Sequence, residues 1–318
     1  MPNIIFTCGL PGSGKTWYAN QIKEFKGDRV VVLSSDDIRA ELWGDANDQQ
    51  NPSKVFATMK ERAVRALKEG KDVIYDATNL VSKTRKTTLA EIQNQVECSA
   101  TLVFCACSIS ECKRRQGDRD RKVPDEVIDR MVRQFEAPWY NEGWNNIFVI
   151  STGKEQDIAR EHRRMTGESH DNPHHTASLE GHCINCEMEM RRLLTKHNYN
   201  NPRLEEILLE AAYQHDIGKH KTKRFLDTKG NPTDIAHYYN HNNVGAYLWL
   251  TGNLTTAFGQ KEFLFIAQLI QWHMQPYFLL DDEGDYHTRL REWCDKRGYG
   301  DLMYDSLCLL HEADRKAH

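Results

Sequence analysis

Gly9-Leu10-Pro11-Gly12-Ser13-Gly14-Lys15-Thr16 decides the fold of the first half of this chain. The octapeptide follows an apolar run, Asn3–Cys8, and precedes a segment of helical character. GxxxxGK[ST] in this context is typical of a phosphate-binding loop. Glycines let backbone N–H groups approach phosphate oxygens, the lysine supplies a cation, and the threonine hydroxyl can bind Mg²⁺. The sequence therefore predicts a site for ATP and Mg²⁺ made by Gly9, Pro11, Gly12, Ser13, Gly14, Lys15 and Thr16.

The rest of the first half alternates apolar runs with helical segments. Apolar runs follow the loop at 29–33, 72–76, 100–106 and 146–150. A near-continuous apolar run is typical of a parallel strand that is covered on both faces. We therefore expect residues 1–155 to form an α/β domain with a parallel sheet.

Carboxylates follow two of these predicted strands. Asp36 and Asp37 come after the second strand, and Asp76 ends the third. The carboxyl ends of parallel strands face the ligand crevice, so one carboxylate could accept a proton from an attacking hydroxyl and another could lie near the metal and phosphates. Helix capping for Asp36 or Asp37 and turn formation for Asp76 are the alternatives.

A basic segment, residues 113–122, lies before Val123-Pro124, where a helix resumes. Arg115 and Arg119 are four residues apart, so they share one face of a helix and can contact a transferring phosphoryl group. This placement predicts a lid over the nucleotide. A solvated, charged helix end is the alternative.

Together these motifs resemble the kinase module of the phage polynucleotide kinase family. The resemblance rests on the glycine-rich loop, Ser35-Asp36-Asp37-Ile38-Arg39, Asp76-Ala77-Thr78-Asn79, and the two arginines before Val123-Pro124. It implies that Asp36 is the general base, that Arg39 contacts a phosphate of the acceptor nucleotide, and that Arg115 and Arg119 contact ATP. Asp76 would lie at the substrate side of the site. The spacing from Arg119 to Val123 is one residue shorter than in the family, which leaves Arg114 as an alternative to Arg115.

The second half has a different pattern. Residues 156–172 are polar and rich in histidine, and we expect a linker there. Residues 173–318 are expected to form an all-α domain. Asn201-Pro202 is typical of an N-cap followed by proline in the first turn, and apolar residues then recur on one helical face up to His215.

Histidine and aspartate residues in this half have the chemistry of a metal site. His215-Asp216 extends an apolar helix face, where a divalent cation would satisfy both side chains. A second doublet, His170-Asp171, lies in the expected linker, and we interpret it as coincidental. The further candidate ligands, each of which could instead be an ordinary core or surface residue, are His182, His241, His273 and Asp314. His175 is an alternative to His182 as the first ligand.

The order His, His-Asp, His, His, Asp resembles the HD phosphohydrolase superfamily. The resemblance covers roughly residues 170–318 and implies that His182, His215, Asp216 and Asp314 hold one metal, with His241 and His273 added for a second metal and Asp216 as the bridge. Imidazole and carboxylate ligands suit Mn, Fe, Co, Ni or Zn. Lys219 is a candidate for binding substrate phosphate, and a solvated lysine is the alternative.

The bulk properties place the chain among ordinary globular proteins. It has 318 residues, a net charge of -4 and 39% hydrophobic residues, which suits two domains and gives no general signal for nucleic acid. The nine cysteines lack disulfide-framework spacing and favour a reducing cytoplasm, and Cys183 and Cys186 are expected to be buried core residues. The opening residues lack a basic leader, and no apolar run approaches the length of a spanning helix, so we expect no membrane association.

Three functions fit these motifs. The first is a bifunctional enzyme of a bacterial or phage-infected cell that heals nucleic acid ends, RNA or DNA. It would phosphorylate a 5′-hydroxyl with an NTP donor and act on a 3′-phosphate or a 2′,3′-cyclic phosphate, leaving ends for a separate ligase. The second is a small-molecule kinase, for a nucleoside or metabolite, fused to a nucleotide phosphohydrolase. The third is a nucleotide-binding regulatory module with an inactive metal half.

Overall fold

A computed structural model describes residues 1–46, 48, 50–117, 122–172, 177–252 and 257–317. The chain divides into two compact units. Unit 1 comprises Met1–Gln134 and Pro138–Gln156, and unit 2 comprises Phe135–Ala137 and Asp157–His318.

Unit 1 is built on a five-stranded sheet in which all neighbouring strands are parallel, in the order β2-β3-β1-β4-β5. Its strands are β1 (Asn3–Cys8), β2 (Val30–Ser34), β3 (Asp72–Asp76), β4 (Ser99–Ala106) and β5 (Asn146–Ser151). Its helices are α1 (Lys15–Lys26), α2 (Ser35–Trp43), α3 (Pro52–Lys68), α4 (Ser82–Gln93), α5 (Ile109–Gly117) and α6 (Asp125–Arg133). The predicted α/β domain with a parallel sheet is confirmed.

The core of unit 1 explains why its strands are so apolar. Ile5, Ile74 and Val103 are buried in one cluster with Ala19 of α1. On the sheet, the Phe6 and Tyr75 rings stack with their centroids 4.6 Å apart. Burial on both faces removes the need for polar positions in the central strands. β5 lies at the sheet edge, and its residues alternate between exposed and more buried positions more than those of the central strands do. Within β5, only Ile147 is fully buried.

The register of the sheet brings the functional segments to one edge. Ser34 of β2 pairs with Asp76 of β3, so these two strands end at the same level. β1 pairs with β3 on its other side, and the glycine-rich loop leaves from its carboxyl end. The three motif segments therefore meet at the carboxyl edge, where ligands bind in open parallel sheets.

Unit 2 is mostly helical. Its helices are α7 (Ile158–Met165), α8 (Leu179–Lys196), α9 (Pro202–Gln214), α10 (Lys219–Thr222), α11 (His241–Gly252), α12 (Gln260–Trp272), α13 (Gln275–Phe278), α14 (His287–Arg297) and α15 (Asp301–Lys316). Helices α8, α9, α12 and α15 pack around a shared core, and α11 packs on α12. As predicted, Asn201 caps α9, since its side chain accepts a hydrogen bond from the Leu204 N–H at 3.2 Å. Cys183 and Cys186 are buried, and burial raises the pKa of both thiols.

The expectation of an all-α second domain is wrong in one segment. Strands β6 (Arg224–Leu226) and β7 (Pro232–His237) form an antiparallel pair. The Asp227 carboxylate accepts hydrogen bonds from the N–H groups of Lys229 and Asn231 and so fixes the turn. Both strands are largely exposed, so the pair lacks the apolar alternation that identifies a strand in a sequence.

The expected linker at 156–172 is also structured. It contains α7, whose N-cap Asp157 accepts a hydrogen bond from the Arg160 N–H. Ile158 and Met165 are buried on α7, and His162 Nε2 lies 3.0 Å from Gln214 Oε1 of α9. These contacts make the segment part of unit 2. The sequence did not predict this helix, because α7 is highly charged and its apolar periodicity extends over only two turns.

None of the helices in the described part of the chain combines the length and apolar character needed to cross a lipid bilayer.

Candidate functional site

The glycine-rich loop is held in a conformation that requires glycine. Gly12 has φ +86°, and a Cβ added there would lie 2.7 Å from the Cys112 carbonyl oxygen, so no other residue fits without moving the backbone. Gly14 also has a positive φ and precedes the first turn of α1. The buried Ser13 Oγ has no hydrogen-bond partner among the described residues. A buried hydroxyl of this kind requires an acceptor such as a phosphate oxygen.

Polar side chains of the loop and of two strands are already connected. Asp76 accepts hydrogen bonds from Thr16 Oγ1 at 2.9 Å and from Thr7 Oγ1 at 2.8 Å. Lys15 Nζ donates to the Leu10 carbonyl oxygen at 2.8 Å. The sequence predicted Thr16 as a ligand of Mg²⁺ and Asp76 near the metal and phosphates, and their side chains are in direct contact. Asp76 therefore does more than form a turn, since it joins β1 and the start of α1 by hydrogen bonds.

The acidic pair after β2 begins helix α2. The cap of this helix is Ser34, whose Oγ accepts from the N–H groups of Asp36 and Asp37, so neither aspartate is itself the cap. Partial desolvation and the negative charges of Asp36 and Asp76 raise the pKa of Asp37. Asp37 was not among the predicted catalytic residues, and this concentration of carboxylates is the environment that a divalent cation neutralises.

Asp36 and Arg39 form an ion pair, with Asp36 Oδ1 and Arg39 Nη1 2.8 Å apart. The Arg39 side chain is 9% exposed and that of Asp36 is 53% exposed. Arg39 thus orients a carboxylate that is open to solvent. The predicted contact of Arg39 with an acceptor phosphate remains a proposal.

Arg115 contacts the phosphate-binding loop directly. Its Nη1 donates to the Gly12 carbonyl oxygen at 3.1 Å, and its Nη2 donates to the Thr152 carbonyl oxygen at 2.9 Å. Arg114 and Arg115 both pair with Glu111, but the Arg114 side chain is 61% exposed and that of Arg115 is 28% exposed. Of these two, Arg115 has the position beside the nucleotide loop. Arg119, the second predicted lid residue, lies outside the described residues.

Six side chains of unit 2 converge into one buried cluster, which we call the HD cluster. Its members come from α8, α11, α15 and the ends of α9 and α12, and they are His182, His215, Asp216, His241, His273 and Asp314. They form two groups that could each hold a metal ion, His182-His215-Asp314 and Asp216-His241-His273. Every residue that the sequence predicted as a ligand of this site lies in it. His175, the alternative first ligand, falls outside the described residues.

Asp216 links the two groups through its two oxygens. Oδ2 lies 3.3 Å from His215 Nε2 and 3.5 Å from His182 Nε2. Oδ1 lies 3.1 Å from His241 Nε2 and 3.6 Å from His273 Nε2. The Asp216 carboxylate therefore faces both groups, which is the position of a bridging ligand.

Three of the imidazoles are each oriented by the carbonyl group three residues earlier in the chain. The Nδ1 atoms of His215, His241 and His273 lie 2.7, 2.8 and 2.7 Å from the carbonyl oxygens of Ala212, Tyr238 and Ile270. When the ring is neutral, an N–H donated from Nδ1 to a carbonyl leaves Nε2 as the acceptor, and this is the arrangement that metal-ligating histidines use. In all three rings Nε2 points into the HD cluster.

The electrostatics of the HD cluster suit a cation. Burial favours the neutral forms of its side chains, but the carboxylate of Asp216 outweighs this effect and raises the pKa of His215 well above its usual range. The imidazoles likewise hold the pKa values of Asp216 and Asp314 well below theirs. Burial, together with His241 and His215, lowers the pKa of His273 to about 3. His273 is therefore neutral at ordinary pH and is a competent ligand.

The family match covers most of unit 1. Residues 4–138 match the family model AAA_33, described as an AAA domain. Unit 1 is an α/β domain of the P-loop kinase type. The L-seryl-tRNA(Sec) kinase of Methanococcus maripaludis is 24% identical over 158 residues, which is 48% of this chain and 60% of that protein. The KTI12 homolog of Danio rerio is 23% identical over 154 residues, 46% of this chain and 56% of that protein.

Each of these two matches to curated relatives spans less than two thirds of the relative's own length. Among solved structures, one chain of the Pnkp1/Rnl/Hen1 RNA repair complex is similar to this chain, with 21% identity and a TM-score of 0.36. The similarity covers 42% of this chain and 43% of that chain.

Behind the nucleotide loop, the P-loop kinase domain has a buried ion pair that the sequence did not reveal. Arg85 pairs with Glu142 at 2.6 Å, and both side chains are at most 2% exposed. Arg85 also donates to the carbonyl oxygens of Asn79 and Leu80. Asn79 in turn donates to the Thr7 carbonyl oxygen at 2.7 Å. These bonds fix the segment after Asp76, but Arg85 and Glu142 lie 57 residues apart and no local motif joins them.

Several residues around the HD cluster were missed or misinterpreted. Lys219 is 8% exposed, and its Nζ lies 2.6 Å from Asp216 Oδ2, so the alternative of a solvated lysine is wrong. The Tyr277 hydroxyl donates to Asp314 Oδ2 at 2.9 Å. His170 is buried, with its ring centroid 5.5 Å from that of His182, so it is not a loose linker residue. No periodicity signals these contacts, because they join separate elements.

Gly218 is a further residue on which the HD cluster depends. A Cβ added there would lie 2.0 Å from the His241 carbonyl oxygen and 2.7 Å from the Gly245 nitrogen. We expect Gly218→Ala to push α11, and His241 with it, away from α10, and to lower the free energy of unfolding by about 1–3 kcal/mol. Urea unfolding followed by circular dichroism measures this change.

Gly117→Ala is the control, because an added Cβ at Gly117 meets no described atom within 4 Å. Equal urea midpoints for the two variants would contradict the close approach of α10 and α11.

Proposed function

We propose that this chain is a bifunctional enzyme that heals nucleic acid ends, with RNA as the preferred substrate. Residues 1–155 phosphorylate a 5′-hydroxyl with ATP, and residues 173–318 remove a 3′-phosphate or open a 2′,3′-cyclic phosphate with bound metal ions. The observation that carries this proposal is the convergence of the six HD-cluster side chains around Asp216, on a chain whose other unit is of the P-loop kinase type.

In the kinase half, each residue has a role that its contacts support. The loop N–H groups and Lys15 hold the phosphates of ATP, and the connected pair Thr16 and Asp76 holds Mg²⁺. Asp36 accepts the proton of the 5′-hydroxyl as its oxygen attacks the γ-phosphorus and ADP leaves, and Arg39 orients this carboxylate. Arg115 stabilises charge on the transferred phosphoryl group from its place on α5, in contact with the loop.

In the hydrolase half, the donor set fits two divalent cations. His182, His215 and Asp314 would hold one, His241 and His273 the other, and Asp216 lies between them. Imidazole nitrogen and carboxylate oxygen suit Mn, Fe, Co, Ni or Zn. Bound cations of this kind polarise a phosphoryl oxygen and supply hydroxide near neutral pH. Lys219, at the edge of the HD cluster, is placed to bind the substrate phosphate.

The two activities convert the two ends of one break into ligatable partners. Phosphorylation gives a 5′-phosphate, and hydrolysis gives a 3′-hydroxyl. A separate ligase is the partner that this product requires, because neither reaction joins the ends.

An assay with labelled ATP tests the proposal directly. The full chain with Mg²⁺ and Mn²⁺ is expected to transfer label to an RNA oligonucleotide bearing a 5′-hydroxyl and to release phosphate from one bearing a 3′-phosphate. A free nucleoside is offered as a competing acceptor, and a free nucleotide as a competing hydrolase substrate. If both small molecules react as fast as the oligonucleotides, the chain is a small-molecule kinase fused to a nucleotide phosphohydrolase. If neither reaction occurs, the enzymatic proposal fails.

A further inference from the structure

A cleft of about 1000 Å³ opens beside the HD cluster. Asp216, His241 and Asp314 form part of its wall, and Lys219 lies next to them. A phosphate group alone fills little of such a volume, and clefts of this size in proteins enclose a whole small molecule. The remainder of the cleft therefore has room for the group that carries the phosphate.

One wall of this remainder is made of planar side chains, Arg224, His237 and Tyr239, which we call the planar stack. The His237 and Tyr239 rings are parallel within 9°, with centroids 5.2 Å apart. The Arg224 guanidinium lies 4.4 Å from the centre of the Tyr239 ring. Arg224 and His237 are paired across β6 and β7, so the hairpin backbone sets the spacing.

The planar stack has no part in holding the HD cluster. Its side chains are exposed or half-buried and line the cleft, whereas the cluster ligands are buried. Stacked aromatic and guanidinium planes at the wall of a cleft are how proteins bind unpaired nucleobases. A nucleobase can extend the stack, because every base presents a flat π-face.

The charged side chains of the cleft indicate which groups the ligand carries besides a flat ring. Lys219, Arg224 and Arg315 line the cleft beside the carboxylates of Asp216 and Asp314, so cationic side chains also face the space that has the planar wall. Lys219 Nζ lies 5.4 Å from the centre of the Tyr238 ring, and the exposed Phe278 adds another ring to the lining. A flat, uncharged group joined to a phosphate complements these features.

We propose that the planar stack binds the nucleobase of a terminal nucleotide whose 3′-phosphate enters the HD cluster. This inference rests on the proposed hydrolase function and deepens it, since it assigns the substrate as a base-bearing nucleotide end and not a phosphate group alone. The hairpin that the sequence did not predict is then the element that supplies substrate recognition.

Fluorescence of 2-aminopurine tests the stacking without requiring turnover. The probe is a short RNA with 2-aminopurine as its last nucleotide and a 3′-phosphate, titrated with the full chain. Wild type is expected to quench the fluorescence, because a stacked base is quenched. The variant His237→Ala/Tyr239→Ala is expected to lose the quenching and to bind about 5- to 100-fold more weakly.

Two further variants separate stacking from folding. Tyr239→Phe keeps the ring and is expected to quench as wild type does. Arg297→Ala removes a guanidinium that lies 4.7 Å from the Trp293 ring, in a similar arrangement outside the cleft lining, and is also expected to leave quenching unchanged. Quenching that survives in the double alanine variant, or is absent in wild type, overturns the proposal.

Turnover of a matched abasic substrate separates this inference from the function on which it rests. For an RNA with a normal 3′-terminal nucleotide, the double alanine variant is expected to raise KM about 5- to 100-fold with little change in kcat. For the same RNA ending in an abasic ribose 3′-phosphate, wild type and variant should be equal. An equal loss on both substrates contradicts a base subsite. Intact quenching without hydrolysis of either substrate contradicts the hydrolase function and leaves the base subsite supported.

A 2-aminopurine nucleoside 3′-monophosphate distinguishes the source of the nucleotide. Quenching of the RNA at lower protein concentration than the mononucleotide supports a nucleic acid end. Equal or tighter binding of the mononucleotide overturns that assignment.

Discussion

Replacing Asp216 by asparagine is expected to slow the release of a 3′-phosphate by about 100-fold or more, while transfer from ATP to a 5′-hydroxyl stays unchanged. The Asp216 carboxylate faces both groups of the HD cluster through different oxygens, and an amide keeps only one oxygen donor. Metal ions contribute several kcal/mol of transition-state stabilisation, and each 1.4 kcal/mol corresponds to a factor of ten in rate. Phosphate release measures the activity, and mass spectrometry of the purified protein measures its metal content.

The matched control is Asp171→Asn, which changes the other His-Asp doublet. Asp171 is 44% exposed and pairs with Lys223 at 2.9 Å, outside the HD cluster. This variant should keep its metal and its phosphate release. Full hydrolysis by Asp216→Asn would show that the HD cluster is not the hydrolytic site, and loss of both reactions in a folded variant would contradict two independent sites.

Lys15→Ala is expected to impair the kinase reaction and to leave the hydrolase reaction intact, the reverse of Asp216→Asn. Phosphorylation of a 5′-hydroxyl should fall by about 100- to 1000-fold, because removing one positioned donor from a developing oxyanion has an effect of this size. Release of 3′-phosphate should be unaffected, since Lys15 belongs to unit 1 and the HD cluster to unit 2. Transfer of labelled phosphate and release of unlabelled phosphate, measured in the same sample, give both rates.

Lys23→Ala is the control on the same helix. Lys23 Nζ donates to the carbonyl oxygens of Gly27 and Val30, away from the nucleotide loop. It should retain full phosphorylation. If Lys15→Ala also transfers label normally, the glycine-rich loop is not the site of the kinase reaction.

The kinase half was predictable because its signals are local. The octapeptide around Gly12 and Gly14 defines a loop within eight residues, and the strands of a buried parallel sheet are apolar along their length. The carboxylates after β2 and β3 follow from the same rule, since parallel strands bring their carboxyl ends to one edge. The fixed contact of Arg115 with the Gly12 carbonyl could not be predicted, because it joins residues 103 positions apart.

The second half was predictable in its candidate ligands but not in its supporting structure. Periodicity placed His215 and His273 on apolar helix faces, and the resemblance to the HD phosphohydrolase superfamily selected the set of six candidates. Helix α7 and the β6–β7 hairpin were missed, because short or exposed elements carry little apolar pattern. The sequence also gave no reason to expect Gly218 to be essential, since the atoms that exclude a Cβ belong to α11.

By itself, the sequence determined the P-loop kinase type of unit 1 and the helical character of most of unit 2, and its resemblance to the HD phosphohydrolase superfamily supplied six candidate metal ligands. The first two properties depend on nearest neighbours along the chain, on backbone conformation at glycine and on the period of apolar side chains. Only the tertiary structure decided that Asp216 faces both ligand groups, that Lys219 is buried against it, and that Arg224, His237 and Tyr239 stack beside the HD cluster. Distances of a few ångströms between separate elements are set by the packing of helices and the pairing of strands, and no local pattern records them.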